Sequence, residues 1–349
     1  MLLSSRRIAV ALCTVAIFIT LTMYKVVQKD SVSNSLGFLQ SSLSLNHSSL
    51  PTEKGNPRFA YAQYATDINY LCNTIINFNR LKRSGTKHDM VLIFPKEWDH
   101  ESANTREAQA IKNLRASDLN IVFRPFDILS TDKGDSTWHD SLTKFHAFAL
   151  IEYTRILAFD SDSLVLNNMD FLFLAPDSPV AMPRAYWLTD REHAKQILGS
   201  HIMLIEPNTH RYKRIINEAM RSGEFDMDVL NELFKDSAMI LPHRRLALLT
   251  GEFRAKDHSK YLAPDEEEEW NAMVEASRAY LVHFSDWPLP KPWKSHTEAQ
   301  WQAALPECLD DDIEKPDQSR CADRLVWTRF YTDYDNDKSV YCGLNKKYV

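Results

Sequence analysis

The residues with the clearest chemistry are Asp160 and Asp162, in the stretch Arg155-Ile156-Leu157-Ala158-Phe159-Asp160-Ser161-Asp162. An apolar run of this kind predicts a buried strand, and two carboxylates spaced i, i+2 close it. In an open α/β sheet, ligands bind in the crevice beyond the carboxyl ends of the strands. Carboxylates placed there can hold a divalent cation, and that cation can hold a diphosphate. The same spacing recurs at Asp226-Met227-Asp228, Asp333-Tyr334-Asp335 and Asp335-Asn336-Asp337, and Asp310-Asp311-Asp312 is an acidic run. Only Asp160-Ser161-Asp162 directly follows a clean apolar strand. From spacing alone two readings stay open, a cation site and a strand-end turn capped by Asp side chains.

The elements that must position these residues alternate along the chain. Phe59–Tyr64, Met90–Phe94, Leu119–Phe123 and Arg155–Phe159 are predicted strands. Ile68–Leu81, Thr105–Arg115 and Ser141–Glu152 are predicted helices between them. This order implies a parallel sheet covered by helices. The second half is more mixed. Val180–Pro183, His201–Glu206 and Tyr280–Phe284 read as strands, and Arg211–Met220 and Val229–Phe234 as helices. The acidic run 265–269 reads as a solvated face. Beyond Lys294 strand and helix signals are few.

At 349 residues the chain suits one large domain or two modest ones. Its 44% hydrophobic and 25% charged residues are a globular balance, enough for a sizeable core. A net charge of -6 argues against a nucleic-acid binder, which carries a basic excess. Residues 8–24 carry no charge, Val26 and Val27 extend the run past Lys25, and Arg6 and Arg7 precede it. This predicts a signal anchor over 8–27 of about the ~20 residues a spanning helix needs, with residues 1–7 cytoplasmic and the rest lumenal. A cleaved signal peptide is the rival, but no small-residue cleavage site follows. Residues 28–57 read as a stem, with one glycosylation sequon at Asn46-His47-Ser48. Cys13 lies in the span. Cys72, Cys308, Cys321 and Cys342 allow two bridges in three connectivities, or buried free thiols.

Leu142-Thr143-Lys144-Phe145, Asp160-Ser161-Asp162, Leu164-Val165-Leu166, and His283-Phe284 with Lys291-Pro292-Trp293 occur in that order. The set resembles the family 8 glycosyltransferases, which include glycogenin, over residues 58–294. Tyr64-Ala65-Thr66-Asp67, Tyr70-Leu71-Cys72-Asn73 and Asp226-Met227-Asp228-Val229-Leu230-Asn231 are most similar to the fungal Golgi N-acetylglucosaminyltransferase branch. The resemblance implies a Rossmann-like type A glycosyltransferase fold, with a mostly parallel sheet and helices on both faces, after one transmembrane helix. Residues 295–349 would be a C-terminal extension, stapled by disulfides.

By the resemblance, Asp160, Asp162 and His283 match the metal ligands, a set that suits Mn²⁺. Lys291 matches a group at the diphosphate, Lys144 the donor-site lysine, and Tyr70 lies near the first strand, where the family binds the nucleotide. Asp226 matches the aspartate beside the donor sugar, with Asp228 near it. The family's glutamine after that aspartate is Met227 here. The Asn-Ser-Gly before a central strand appears as Gly199-Ser200-His201, and Ser285-Asp286 replaces the glycine after His-Phe. The implied activity is retaining transfer of a sugar, N-acetylglucosamine by the branch, from a UDP-sugar to a glycan hydroxyl by a single-pass type II Golgi membrane protein. The competing readings are an inactive glycan-binding protein of the same fold, sustained by Met227, and a metal-dependent phosphohydrolase, for which no P-loop pattern is found.

Overall fold

The computed structural model describes residues 57–342 apart from 101, 103, 132–135, 189–195, 266 and 309–319. The predicted cytoplasmic N-terminus, membrane span, sequon and Asp310–Asp312 run lie outside the described residues, as does the stem apart from Pro57. Among the described residues no helix is long and apolar enough to cross a membrane.

The sequence pattern builds a two-faced sheet. In β1 (Phe59–Tyr64), Tyr61 enters one core, while Ala60, Ala62 and Tyr64 enter another. In β2 (Asp89–Pro95), Met90, Leu92 and Phe94 alternate in the same way with Val91 and Ile93. A strand sends successive side chains to opposite faces, so the continuous apolar runs mark strands buried on both sides. Helix α1 (Ile68–Arg83), started by the Asp67 side chain accepting from the backbone N–H of Asn69 and Tyr70, and helix α2 (Arg106–Arg115), capped by Thr105, cover the first face through Leu71, Ile75, Phe78, Ile111 and Leu114. β3 (Ile121–Phe126) begins two residues later than predicted.

The second face is covered first by a 3₁₀ segment, Ser136–Ala149, in place of the α-helix expected over 141–152. Its large buried apolar residues Leu142, Phe145 and Phe148 recur every third residue, which is the 3₁₀ period. β4 (Arg155–Phe159) and β5 (Ser163–Val165) follow, then β6 (Val180–Pro183), β7 (Ile202–Ile205), α3 (Thr209–Ser222), α4 (Asp226–Phe234) and β8 (Met239–Leu241). Ile215, Ala219, Val229, Leu230 and Phe234 of α3 and α4 join the core of that face.

The main sheet runs β3-β2-β1-β4-β7-β6-β8. Its first four strands are parallel, as predicted, but β7 is antiparallel to both β4 and β6, so the sheet is mixed. A second sheet of three short strands, β5-β10-β9, uses β9 (Leu248–Leu249) and β10 (Leu281–His283). β10 is antiparallel to β5, with His283 opposite Ser163. β10 falls within the strand predicted over Tyr280–Phe284, whereas β5 and β9, of three and two residues, carry too short a pattern and went unpredicted.

The C-terminal segment holds more structure than its sequence signals suggest. After α5 (Ala272–Arg278) and α6 (Glu298–Ala304), helix α7 spans Arg320–Tyr341. Its buried stripe is aromatic, Trp327, Phe330, Tyr331 and Tyr334, at the i, i+3, i+4, i+7 spacing of one helix face. Cys72 is bonded to Cys342, tying α1 to the chain beyond α7, and Cys308 to Cys321. The free-thiol alternative does not hold.

Candidate active site

The site is built where β4 ends. The Asp160 N–H donates to the His201 carbonyl at 2.9 Å, and Gln63 Nε2 donates to the Asp160 carbonyl at 3.2 Å. The Ser163 N–H then closes a turn onto the Asp160 carbonyl at 3.2 Å. Ser161 is buried and donates to the Tyr64 carbonyl. With the intervening residue turned inward, the carboxylates on either side lie together. The pairing of β5 with β10 brings His283 to them, with His283 Nε2 3.1 Å from Asp162 Oδ1. Lys291 reaches back along the loop after β10, and its Nζ donates to Asp162 Oδ2 at 2.8 Å and to the Phe284 carbonyl.

Lys144, on the 3₁₀ segment, is buried and makes two ion pairs, to Asp160 Oδ1 at 2.6 Å and to Asp226 Oδ2 at 2.7 Å. Asp226 opens α4, and its Oδ2 also accepts from Ser200 Oγ at 2.5 Å. One ammonium group thus joins the strand-end pair to the aspartate opposite. These residues line a cavity of about 240 Å³, with Tyr64, Tyr70, Trp187, His201, Met227 and Asp228 among its walls. That is below the roughly 300–1,000 Å³ of pockets that enclose a drug-sized ligand.

The electrostatics follow from burial and from these neighbours. Burial pushes Asp160 up to about 6; Lys144 opposes this, while Asp162 and Asp226 add like-charge repulsion. Burial acts on Asp162 too, but His283 and Lys291 more than offset it and hold the carboxyl well below its usual range. Burial of Asp226 is likewise outweighed, first by Lys144, and its carboxyl is lowered. Lys144 is raised despite its burial because Asp160 and Asp226 face it. Burial, then its neighbours His283 and Lys144, lowers His201 to about 3 and keeps its imidazole neutral. Its ring lies between those of Trp187 and His283, at 5.7 and 5.8 Å.

Asp160, Asp162 and His283 each offer one ligand atom, all within 4.8 Å of one another. The donor set of two carboxylates and an imidazole suits a divalent first-row cation. Two further observations fit it. Four carboxylates (Asp160, Asp162, Asp226, Asp228) outnumber the two ammonium groups of Lys144 and Lys291. In addition, His283 turns its Nε2 toward the pair, 3.1 Å from Asp162 Oδ1, so all three donors face one point.

The structure therefore brings together all eight residues singled out in the sequence. Asp160, Asp162, His283, Lys144, Asp226, Asp228 and Tyr70 line one cavity, and Lys291 attaches to it through Asp162. Tyr70 meets Trp293 edge-on, with centroids 5.3 Å apart. The competing Asp-x-Asp pairs at 333–337 lie on α7, where Asp337 pairs with Arg80 and Asp333 with Arg329. Sequence reasoning does not single out Trp187 as a site residue or Ser200 as a partner of Asp226. Trp187 carries no local motif and lies in the short turn Tyr186–Leu188 after β6, while Ser200, in the Gly199-Ser200-His201 motif, precedes β7 and meets Asp226 through a contact 26 residues apart.

No protein-family model matches the chain. Glucose N-acetyltransferase 1 of Gibberella zeae is 44% identical over 291 residues, covering 82% of this chain and 62% of that protein. The protein of the same name from Aspergillus fumigatus is 36% identical over 300 residues, covering 81% of this chain and 77% of the relative. The chain thus spans less than two thirds of the Gibberella protein. The galactosyltransferase LgtC, solved with donor and acceptor sugar analogs, superposes with a TM-score of 0.50 at 16% identity, covering 73% of this chain and 99% of that one. At that identity the likeness speaks for the fold alone, an α/β glycosyltransferase-like fold.

Proposed function

The chain belongs to the glucose N-acetyltransferase 1 family, and from that premise we propose that it is a metal-dependent retaining glycosyltransferase. Its donor is UDP-N-acetylglucosamine and its acceptor a glycan hydroxyl. The observation that carries this reading is the cluster of Asp160, Asp162 and His283 at the end of β4, joined through Lys144 to Asp226. The relatives' name pairs glucose with an N-acetyl group, and the cluster suits a diphosphate-linked sugar bearing both. The sequence resemblance to family 8, its Golgi branch and its type II anchor belong to the same reading.

Negative charge builds on the departing diphosphate and positive charge on the sugar ring. A bound Mn²⁺ would act as a Lewis acid toward the diphosphate oxygens, held by Asp160, Asp162 and His283. Lys291, fixed on Asp162, adds a point charge on the same side. Asp226, with Oδ2 engaged by Lys144 and Ser200, suits orienting sugar hydroxyls better than attacking carbon. Met227 has no amide to serve as nucleophile, and a thioether is only a weak acceptor. Front-face attack therefore fits best, with the acceptor hydroxyl passing its proton to the leaving phosphate oxygen. A covalent sugar adduct trapped on Asp226 or Asp228 would refute that route.

The test is turnover by the purified full chain. UDP-N-acetylglucosamine with Mn²⁺ and a mannose-rich glycan should give UDP and extended glycan, and chelation should stop both. Acetyl-coenzyme A with glucose should give no acetylglucosamine. The opposite pair of results would replace glycosyl transfer with acetyl transfer.

A further inference from the structure

We propose that Asp286 is a positioning residue for the donor site, through which the last helix holds the loop carrying His283 and Lys291; this rests on the functional reading above. The loop from Phe284 to Trp293 has no strand or helix of its own, yet residues near both its ends reach Asp162. Their placement depends on what fixes the loop.

Asp286 is 4% exposed, whereas its neighbour Trp287 is 82% exposed. The chain thus turns a carboxylate inward and an indole outward. Asp286 Oδ1 accepts from Trp327 Nε1 at 3.0 Å, and Oδ2 accepts from the Tyr331 hydroxyl at 2.8 Å. These donors sit one turn apart on α7. Arg254 donates to the Asp286 carbonyl at 3.2 Å and lies 3.5 Å from Oδ1. The Ser285 N–H donates to Thr250 Oγ1 at 2.9 Å, and a Cβ on Gly251 would lie 3.0 Å from the Ser285 carbonyl oxygen. The loop is therefore held by α7 and by the 3₁₀ turn Thr250–Arg254, both outside the main sheet.

Helix α7 is itself fixed to α1 by the Cys72–Cys342 bond and by Tyr334, whose hydroxyl donates to Asn73 Oδ1 at 2.8 Å. An apolar residue at 286 would fill the same space without burying a charge, which is costly. What the carboxylate adds is direction, because two donors on one helix face allow a single placement of the loop. This gives a role to the Ser285-Asp286 departure from the family's glycine and to the C-terminal segment.

Asp286→Asn alters a buried charge and risks the fold, so the decisive variants are Tyr331→Phe and Tyr334→Phe in the full chain. Each removes one buried hydroxyl from the same helix, and each hydroxyl makes a 2.8 Å hydrogen bond. Only Tyr331 is bonded to the loop. Binding of UDP in Mn²⁺ buffer is read by titration calorimetry, alongside the melting temperature. Both variants should melt a few degrees lower. Only Tyr331→Phe should weaken UDP binding, by up to about tenfold, the most that the net worth of one lost hydrogen bond would produce. Equal affinities within twofold for the two variants, with wild type binding, would overturn the positioning role alone. No UDP binding by the wild type would overturn the functional reading, and this proposal with it.

Discussion

Lys144→Met tests whether one buried ammonium group joins the two halves of the site. The side chain is 5% exposed and its Nζ lies 2.6 Å from Asp160 and 2.7 Å from Asp226. Methionine keeps most of the length and apolar stem, so the change removes charge and hydrogen bonds with little change in packing. Removing one partner of a buried pair costs about 3–5 kcal/mol, because the charge left behind is uncompensated. Two carboxylates are left here, so the upper half of that range applies. In a chain of this size 1 kcal/mol moves the melting temperature by roughly 2 °C. Scanning calorimetry in chelator should therefore show a drop of roughly 8–10 °C. The coupling is checked by adding Asp226→Asn, since the double variant should recover part of the loss. A drop below about 2 °C, or strictly additive losses, would refute the bridge.

Three further outcomes follow from the same structure. Cys72→Ser with Cys342→Ser opens a bond spanning 270 residues, against 13 for Cys308–Cys321. Loop entropy makes the first worth more within the usual range of about 2–5 kcal/mol, and urea unfolding of the two double variants should rank them so. Burial lowers both His146 and His243, so the unfolded chain binds more protons below about pH 6.5. That stability is present above the unfolded pKa and lost as pH falls, and His146→Gln should flatten the slope of melting temperature against pH. Gly199→Ala places a methyl 2.9 Å from His201 Nδ1. It should displace that ring and raise the donor KM with little change in melting temperature.

The Asp160–Asp162 pair, Lys144, His283, Lys291 and Asp226 were legible in the sequence because each sits in a short motif whose order the fold preserves. β1, β4 and α1 were legible for a different reason, since long apolar patterns report burial directly. What stayed hidden depends on contacts between distant segments. Ser200 meets Asp226 only because β7 runs antiparallel to β4. The 3₁₀ segment bearing Lys144 looked α-helical because three apolar residues at i, i+3 satisfy both periods over so short a run. Helix α7 was masked by its composition, with acidic residues and tyrosines interleaved. Its buried face is recognisable once Trp327, Tyr331 and Tyr334 are read as one stripe.

We propose that Asp160, Asp162 and His283 form a metal-dependent diphosphate site. Its most direct test is calorimetric titration of UDP into the wild type and Asp162→Ala, each with Mn²⁺ and with chelator. Binding is expected for the wild type in Mn²⁺ only, and none for Asp162→Ala although it stays folded. UDP binding of equal affinity in chelator, or by Asp162→Ala in either buffer, would contradict it.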